Sequence, residues 1–298
     1  MSSPERRDGL ITTLINEHCE LAENPLWRVE DGCLYWADIT GGKLHRFHVE
    51  SGTHAIIYSG VTVGGFTFQA NGDLLLFRVK DIALLHPDGV VEVLRQFEDE
   101  GTERFNDVIA DPEGRVFAGM IGRSETSGGL WRMDTDGSMT LLFRGTGCSN
   151  GMGFSPDVTK FYWTCSTRRR IFEFDYDRAT GCLSGERMLY QADANEGIPD
   201  GMTVDRDGHI WSARWDGYTV VHHATDGTVI ERIPFPVGKI TSLCFGGPRF
   251  DQLFVTSAGG LPGSDTGDGS VYQFPAGVAG PAEFESRIST ERTTSPSC

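Results

Sequence analysis

The sequence is poor in positive charge and lacks long apolar runs. Its 26 lysine and arginine residues are outnumbered by 42 aspartate and glutamate residues, which gives a formal net charge of -16. A nucleic acid or an anionic membrane surface would be repelled by such a protein, so we expect neither as a partner. No stretch approaches the roughly 18 apolar residues of a membrane span, so no such span is predicted.

Paired cysteines and targeting signals are also lacking. The seven cysteines are odd in number and widely spaced, and none belongs to a Cys-x-x-Cys pair. This pattern argues against a disulfide framework or a cysteine zinc site and predicts reduced thiols. Residues 1–10 are not followed by the apolar run of a signal peptide. We therefore expect a cytoplasmic protein that is a monomer or a small homo-oligomer.

A repeat runs along almost the whole chain. Six segments share a turn residue, an apolar strand, a polar break and a second strand, and they begin at Asp31, Asn71, Glu113, Asp157, Asp207 and Asp251. Successive segments start 40, 42, 44, 50 and 44 residues apart. This period, filled with short β-rich runs and Gly/Asp turns, is typical of a four-stranded propeller blade. No long segment has the 3.6-residue apolar period of a helix. The sequence predicts an all-β, six-bladed β-propeller with four antiparallel strands per blade.

The two ends of the repeat predict how the ring closes. An apolar segment starting at Leu10 precedes the first blade, whereas the last blade, ending near Phe274, lacks a clear fourth strand. We predict that the N-terminal strand completes the last blade. The propeller would then span residues 10–278, flanked by flexible polar tails at residues 1–9 and 279–298.

Four polar residues occupy matched places in this repeat. Asn106, Asn150 and Asp200 lie seven residues before their repeat starts, and Glu23 lies eight before its own. Each is predicted at the start of an innermost strand, and these starts converge on one mouth of the central channel. The four oxygen-bearing side chains suit a hard divalent cation. Alternatively, they only hydrogen-bond inside a wet channel, but buried unpaired carboxylates are costly, which favours a metal.

The residues around these positions form recognisable motifs. In chain order they are ENPLW (23–27), RFND (104–107), FAG (117–119), SNG (149–151), PDG (199–201), FGGP (245–248) and LFVTS (253–257). Their order and spacing resemble the SMP-30/gluconolactonase/luciferin-regenerating-enzyme family, from about residue 15 to residue 275. The resemblance implies one divalent metal held by Glu23, Asn150 and Asp200, and a substrate contacted by Arg104 and Asn106.

Two further substrate contacts are expected near the mouth. Family members close to the animal proteins carry a substrate-contacting Glu soon after FAG, whereas here either Arg123 or Glu125 could face the site. Trp215 ends the second strand of its blade and could line the mouth. Two pairs of histidines are not expected to bind one metal together: His45 with His48, and His222 with His223. Strand residues that are adjacent or three apart point to opposite faces of the sheet.

The resemblance implies a lactonase or a related hydrolase. We expect metal-dependent hydrolysis of a small aldonolactone, such as glucono-, xylono- or arabinonolactone, with Asp200 accepting a proton from the attacking water. Ca²⁺ suits the ligands best, with Zn²⁺, Mn²⁺ and Mg²⁺ left open. A phosphotriesterase-like hydrolase would use the same metal but would need a more apolar pocket. A non-catalytic propeller that binds other proteins would have a channel mouth without carboxylates.

Overall fold

Short apolar runs broken by Gly and Asp turns form 24 β-strands in the computed structural model, which describes residues 7–259 and 269–290. These strands form six four-stranded antiparallel sheets, one for each sequence repeat. Within the described ranges the single helix is a 3-10 turn (Arg7–Leu10), so no helix there is long and apolar enough to cross a membrane. The predicted six-bladed propeller is confirmed.

Each blade runs outward from the channel in four steps. The innermost strands of blades one to six are β2 (Ala22–Arg28), β6 (Val63–Phe68), β10 (Thr102–Ala110), β14 (Ser149–Phe154), β18 (Ile198–Val204) and β22 (Ile240–Gly246). The second strands are β3 (Cys33–Asp38), β7 (Leu74–Arg78), β11 (Val116–Gly122), β15 (Lys160–Cys165), β19 (Ile210–Trp215) and β23 (Gln252–Ser257). The third strands are β4 (Lys43–His48), β8 (Asp81–Leu85), β12 (Gly128–Met133), β16 (Arg170–Asp177), β20 (Thr219–His223) and β24 (Val271–Pro275). The outermost strands are β5 (Thr53–Ser59), β9 (Val91–Gln96), β13 (Met139–Thr146), β17 (Cys182–Gln191), β21 (Val229–Pro234) and β1 (Thr12–Ile15).

The ring closes between the two ends of the repeat. Strand β1 pairs antiparallel with β24, with Thr12 opposite Gln273 and Ile15 opposite Val271. The predicted closure by the N-terminal strand is therefore confirmed. The core lies between neighbouring blades, where innermost strands contact one another around the whole ring. Between blades five and six, for example, the fully buried Trp211 packs against Phe245 and Phe274.

The C-terminal segment differs from the expected tail. Residues 279–290 run from blade six to blades two and three along the end of the channel opposite the candidate site. Backbone bonds tie Gly280 to Phe250, Ser286 to Phe68 and Ala70, Arg287 to Gly114, and Ser289 to Thr135. Ser286 and Ile288 are buried, and Gln69 bonds both the carbonyl and the N–H of Ile288. The polar composition of the segment did not predict this packing because the segment binds mainly through its backbone. Residues 1–6 and 291–298 of the expected tails lie outside the described residues.

The described cysteines form no disulfide, and the side chains of His45 and His48 have separate contacts. Six cysteines of the described ranges are free thiols. His45 stacks on Trp36 and hydrogen-bonds to His54, whereas His48 bonds to Ser51, so His45 and His48 do not act together.

Candidate active site

A β-bulge interrupts each innermost strand where the sequence predicts a site residue. The pairing register shifts just after Glu23, around Asn106, after Asn150 and around Asp200. A bulge leaves a residue unpaired and turns its side chain away from the regular alternation. The same irregularity in every blade aims these side chains at the channel.

The residue after each site residue shows why the bulges fit together. Asn24 and Asp107 have positive φ angles of 49° and 45°. Asn24 uses its Oδ1 to accept a hydrogen bond from the N–H of Phe66, which joins blade one to blade two at 2.6 Å. At the equivalent place in blade four, a Cβ on Gly151 would lie only 2.5 Å from the backbone nitrogen of Met202. A glycine is required there because the inner strand of blade five packs directly against it.

The predicted residues meet in one cavity of about 370 Å³ at a mouth of the channel. Glu23, Asn106, Asn150 and Asp200 all line it and are all at most 6% exposed. Its remaining lining residues are Leu21, Arg104, Ile121, Cys148, Ser166, Thr167, Ile198 and Trp215. The volume is within the usual range of small-molecule sites.

Asn150 is held so that its amide oxygen has no protein partner. Its Nδ2 donates to Oγ of Ser166 at 3.2 Å, and that hydroxyl donates in turn to the carbonyl of Pro199 at 2.7 Å. Oδ1 of Asn150 is buried without a hydrogen bond, and so is Oδ1 of Asp200. Because buried oxygens without partners are costly, these two atoms favour a bound cation or a hydrogen-bond donor beside them.

The carboxylates of the channel repel one another. Burial, reinforced by the charge of Asp107, raises the pKa of Glu23 to about 8. Burial and the nearby Glu23 and Asp107 raise the pKa of Asp200 well above its ordinary value. The charge of Arg104 lowers both pKa values, but by less than burial raises them. A cation beside Glu23 and Asp200 would relieve this repulsion.

Asn106 differs from Asn150 in its hydrogen bonds. Its Oδ1 accepts a hydrogen bond from Nη1 of Arg104 at 2.8 Å, and its Nδ2 donates to the carbonyl of Ser149 at 2.9 Å. The amide oxygen is therefore engaged within the protein. Glu23, Asn150 and Asp200 remain as the oxygen donors that could hold one hard cation.

Four further lining residues lie two positions before the four predicted site residues. Leu21 precedes Glu23, Arg104 precedes Asn106, Cys148 precedes Asn150 and Ile198 precedes Asp200, and all of them line the cavity. Sequence reasoning found only Arg104 among these. The period of two in a strand, which puts alternate residues on one face, was the signal that could have identified the others.

Trp215 lies at the cavity wall, whereas Glu125 does not. Trp215 lines the cavity, and the Lys239 ammonium lies 5.1 Å from its ring centroid. Glu125 and Arg123 are exposed and are not among the residues that line the cavity.

The comparisons with known proteins place the chain in a family. The model of the SMP-30/Gluconolactonase/LRE-like region matches residues 21–259. Pentonolactonase XacC of Haloferax volcanii is 39% identical over 287 residues, which cover 93% of this chain and 98% of that protein. Regucalcin of Xenopus laevis is 31% identical, with 83% of this chain and 86% of that protein covered.

Solved structures agree with the sequence comparisons. A luciferin-regenerating enzyme superposes with a TM-score of 0.86 at 26% identity, covering 94% of this chain and 99% of that one. The calcium-binding protein regucalcin of Agrobacterium tumefaciens also has a TM-score of 0.86 at 26% identity, with 93% and 97% covered. The chain belongs to the SMP-30/gluconolactonase/LRE-like family, as its motifs predict.

Proposed function

We propose that this protein is a lactonase that hydrolyses a small sugar lactone with one divalent metal held by Glu23, Asn150 and Asp200. The observation that carries the proposal is the pair of buried, unpartnered oxygens on Asn150 and Asp200, which face a cavity of about 370 Å³. The name and coverage of the pentonolactonase relative support the reaction class. A putative sugar lactone lactonase of Bacillus subtilis, 31% identical over 80% of this chain, supports it as well.

The residues of the cavity can perform the steps of lactone hydrolysis. When bound, a divalent cation would polarise the lactone carbonyl and keep Glu23 and Asp200 ionised. Asp200 would accept a proton from water as the water oxygen bonds to the carbonyl carbon. The ring C–O bond would then break and the ring oxygen would take up the proton held by Asp200, which yields the aldonic acid. Arg104 and Asn106 would hold the sugar hydroxyls.

The ligand chemistry favours calcium. Two carboxylates and an amide carbonyl are hard oxygen donors, and the proposed ligands include neither a histidine nor a cysteine. The regucalcin neighbour, described as a calcium-binding protein, is consistent with this choice. Zn²⁺, Mn²⁺ and Mg²⁺ are the alternatives to be compared. A small sugar lactone is the only partner that we propose for this site.

Phosphotriester hydrolysis is the second candidate function. It is favoured by the apolar part of the wall, where Leu21, Ile121 and Ile198 line the cavity beside Trp215. Polar groups of the same cavity, including Arg104, Ser166 and Thr167, instead suit a hydroxylated substrate. A non-catalytic binding module is disfavoured because two carboxylates are buried in the mouth.

The test is a substrate panel measured with and without metal. Purified protein would be dialysed against EDTA, verified metal-free by elemental analysis, and assayed with pentono- and hexonolactones and one phosphotriester. We expect no lactone turnover without metal and recovery to different extents with Ca²⁺, Mn²⁺, Mg²⁺ or Zn²⁺. Full activity of the metal-free protein would refute the metal requirement. Turnover of the phosphotriester alone would refute the lactonase assignment. No turnover of any substrate with any metal would favour the binding module.

A further inference from the structure

Blade five carries a second group of potential metal ligands, at the end opposite Trp215. Asp205 directly follows β18, His209 directly precedes β19, and His222 lies on β20. Nδ1 of His209 lies 3.8 Å from Oδ2 of Asp205, and Nε2 of His222 lies 3.7 Å from the same oxygen. The three ligand atoms are all within 4.8 Å of one another. Asp205 lies five residues after Asp200, roughly 16 Å along an extended strand, so this group is separate from the candidate active site.

The distances are longer than hydrogen bonds and close to those between two ligands of one metal ion. At 3.7 and 3.8 Å, neither histidine is within hydrogen-bond reach of the Asp205 carboxylate. In tetrahedral geometry, bonds of about 2.0–2.2 Å place two ligands of one Zn²⁺ ion roughly 3.3–3.6 Å apart. The two spacings to Asp205 are slightly longer than this, so small side-chain rotations bring the three ligand atoms around a single ion.

His222 provides an independent indication of a ligand. Its side chain is buried, with 7% of the residue exposed, and neither ring nitrogen has a hydrogen-bond partner. A neutral imidazole has one donor and one acceptor, so this burial leaves both unsatisfied. The ring is also held in place, since it stacks on Trp211 with centroids 3.8 Å apart. Trp211 in turn donates from Nε1 to Oδ2 of Asp205 at 2.9 Å.

Comparison with blade three shows what the blade-five turn lacks. Asp111 occupies the position of Asp205, and both use Oδ1 to accept backbone N–H groups of the following turn. Four residues after Asp111, Arg115 donates from Nε to Oδ2 of that carboxylate at 2.5 Å. Four residues after Asp205 the chain has His209 instead. At this position blade five has no arginine, and the Asp205 carboxylate has Trp211 and the two histidines beside it instead.

We propose that Asp205, His209 and His222 bind one divalent transition metal ion of the Zn²⁺ or Co²⁺ type. Two imidazole nitrogens and one carboxylate suit these ions, whereas Ca²⁺ and Mg²⁺ prefer oxygen donors alone. The ion partners the ring of His222 and adds positive charge beside the Asp205 carboxylate. It also ties the turn between β18 and β19 to β20.

An ion and its water ligands can reach this position. The His209 side chain is 31% exposed. Asp205 also lines a second cavity of about 470 Å³, at the channel end that residues 281–284 border. Metal bound there stabilises the folded protein by mass action, because the three ligands are assembled only in the native state.

The test uses the full chain with Glu23→Gln and Asp200→Asn, which removes both carboxylates of the candidate active site. Co²⁺ is the probe, and its content per chain is measured by elemental analysis after equilibrium dialysis. We expect one Co²⁺ per chain, a visible absorption band typical of nitrogen ligation, and a Tm that rises by several degrees with added Co²⁺. Added Ca²⁺ should produce no such rise.

Three histidine variants complete the experiment. His209→Ala, at a partly exposed position, should lose the bound Co²⁺ and the Tm rise while keeping the metal-free Tm. His222→Gln should lose them too, but its buried position makes His209→Ala the decisive variant if His222→Gln is unstable. His86→Ala is the matched control, since His86 is a partly exposed histidine beside the carboxylates of Asp73 and Glu92. The proposal would be overturned if the protein with Glu23→Gln and Asp200→Asn bound no Co²⁺, or if adding His209→Ala left its Co²⁺ binding unchanged.

Discussion

Nη1 of Arg104 donates a hydrogen bond to Oδ1 of Asn106 across 2.8 Å. The sequence places four amide and carboxylate side chains around the channel mouth, and this bond distinguishes Asn106 from the other three. The Asn106 oxygen has a protein partner, whereas the Oδ1 atoms of Asn150 and Asp200 have none. The contact thus separates a proposed substrate-binding pair from a proposed metal-binding trio.

Arg104→Ala should impair substrate use without removing the metal. The loss of a partly buried charged hydrogen bond costs about 1–3 kcal/mol, which lowers kcat/KM roughly 5- to 150-fold. Steady-state kinetics with the best lactone would be combined with elemental analysis of the purified variant. Arg178→Ala is a suitable control, because Arg178 pairs with Glu113 on the exposed surface. Loss of metal with unchanged affinity for the lactone would contradict the assignment of Arg104.

The fold could be predicted because the propeller repeats the same local pattern six times. Asp205 and Asp111 show this in detail: each bonds the backbone of its own turn, and each is placed by the same spacing in sequence. The position of Glu23, Asn106, Asn150 and Asp200 at one mouth follows from the same periodicity. Their presence in a single cavity agrees with that prediction.

Features that depend on contacts between distant segments could not be predicted. Ser286 and Ile288 have no apolar period around them, yet they are buried by backbone bonds to blades two and three. The hydrogen bond between Arg104 and Asn106 lies beside a bulge in β10, which the alternation of apolar residues does not reveal. The same limit applies to His222, which contacts Trp211 on another strand and Asp205 in a turn.

Gly151→Ala should destabilise the protein and weaken metal binding. A Cβ at this position would lie 2.5 Å from the backbone nitrogen of Met202 and 2.6 Å from the carbonyl of Asp200. Neither backbone atom can move without shifting β18, so we expect a loss of about 1–3 kcal/mol of stability. Calorimetry and metal titration would measure both effects. Gly9→Ala is the control, since no atom lies within 4 Å of its added Cβ, and equal stability of the two variants would contradict the prediction.

Glu283 should make the protein less stable as the pH rises. Burial, with repulsion from Asp107, raises the pKa of Glu283 from 4.5 to about 7. The folded state therefore binds more protons than the unfolded state between these values, and stability falls as the pH increases through that window. Glu283→Gln should raise the Tm at pH 8 by about 2–4 °C, the shift expected for roughly 1 kcal/mol in a large domain.

The control for Glu283 uses the same segment of chain. Glu285 is exposed, so Glu285→Gln should leave the Tm nearly unchanged at every pH. Thermal unfolding of both variants at pH 4 and pH 8 would be compared with that of the unsubstituted protein. At pH 4 the gain from Glu283→Gln should largely vanish. An equal gain at both pH values would show that the charge of Glu283 is not its cause.

Asp200 and Glu23 should respond differently to the loss of charge, although both are proposed metal ligands. Each substitution, Asp200→Asn or Glu23→Gln, keeps a carbonyl oxygen and removes one negative charge from the trio. Glu23→Gln should act by weakening the metal, so that excess metal restores much of the activity. Asp200→Asn also removes the proposed proton acceptor, and its kcat should stay roughly 10²- to 10⁴-fold low at saturating metal.

The measurement that separates the two roles is kcat as a function of metal concentration. Asp200 is suited to accept a proton because its Oδ1 is buried in the cavity without a protein partner. Glu23 instead has one carboxylate oxygen engaged, since Oε2 accepts the N–H of Asn24 at 2.9 Å. Both variants must therefore be titrated until activity no longer increases. If metal rescued both to the same extent, Asp200 would be a ligand alone, and the proton would have to pass to another group at the mouth.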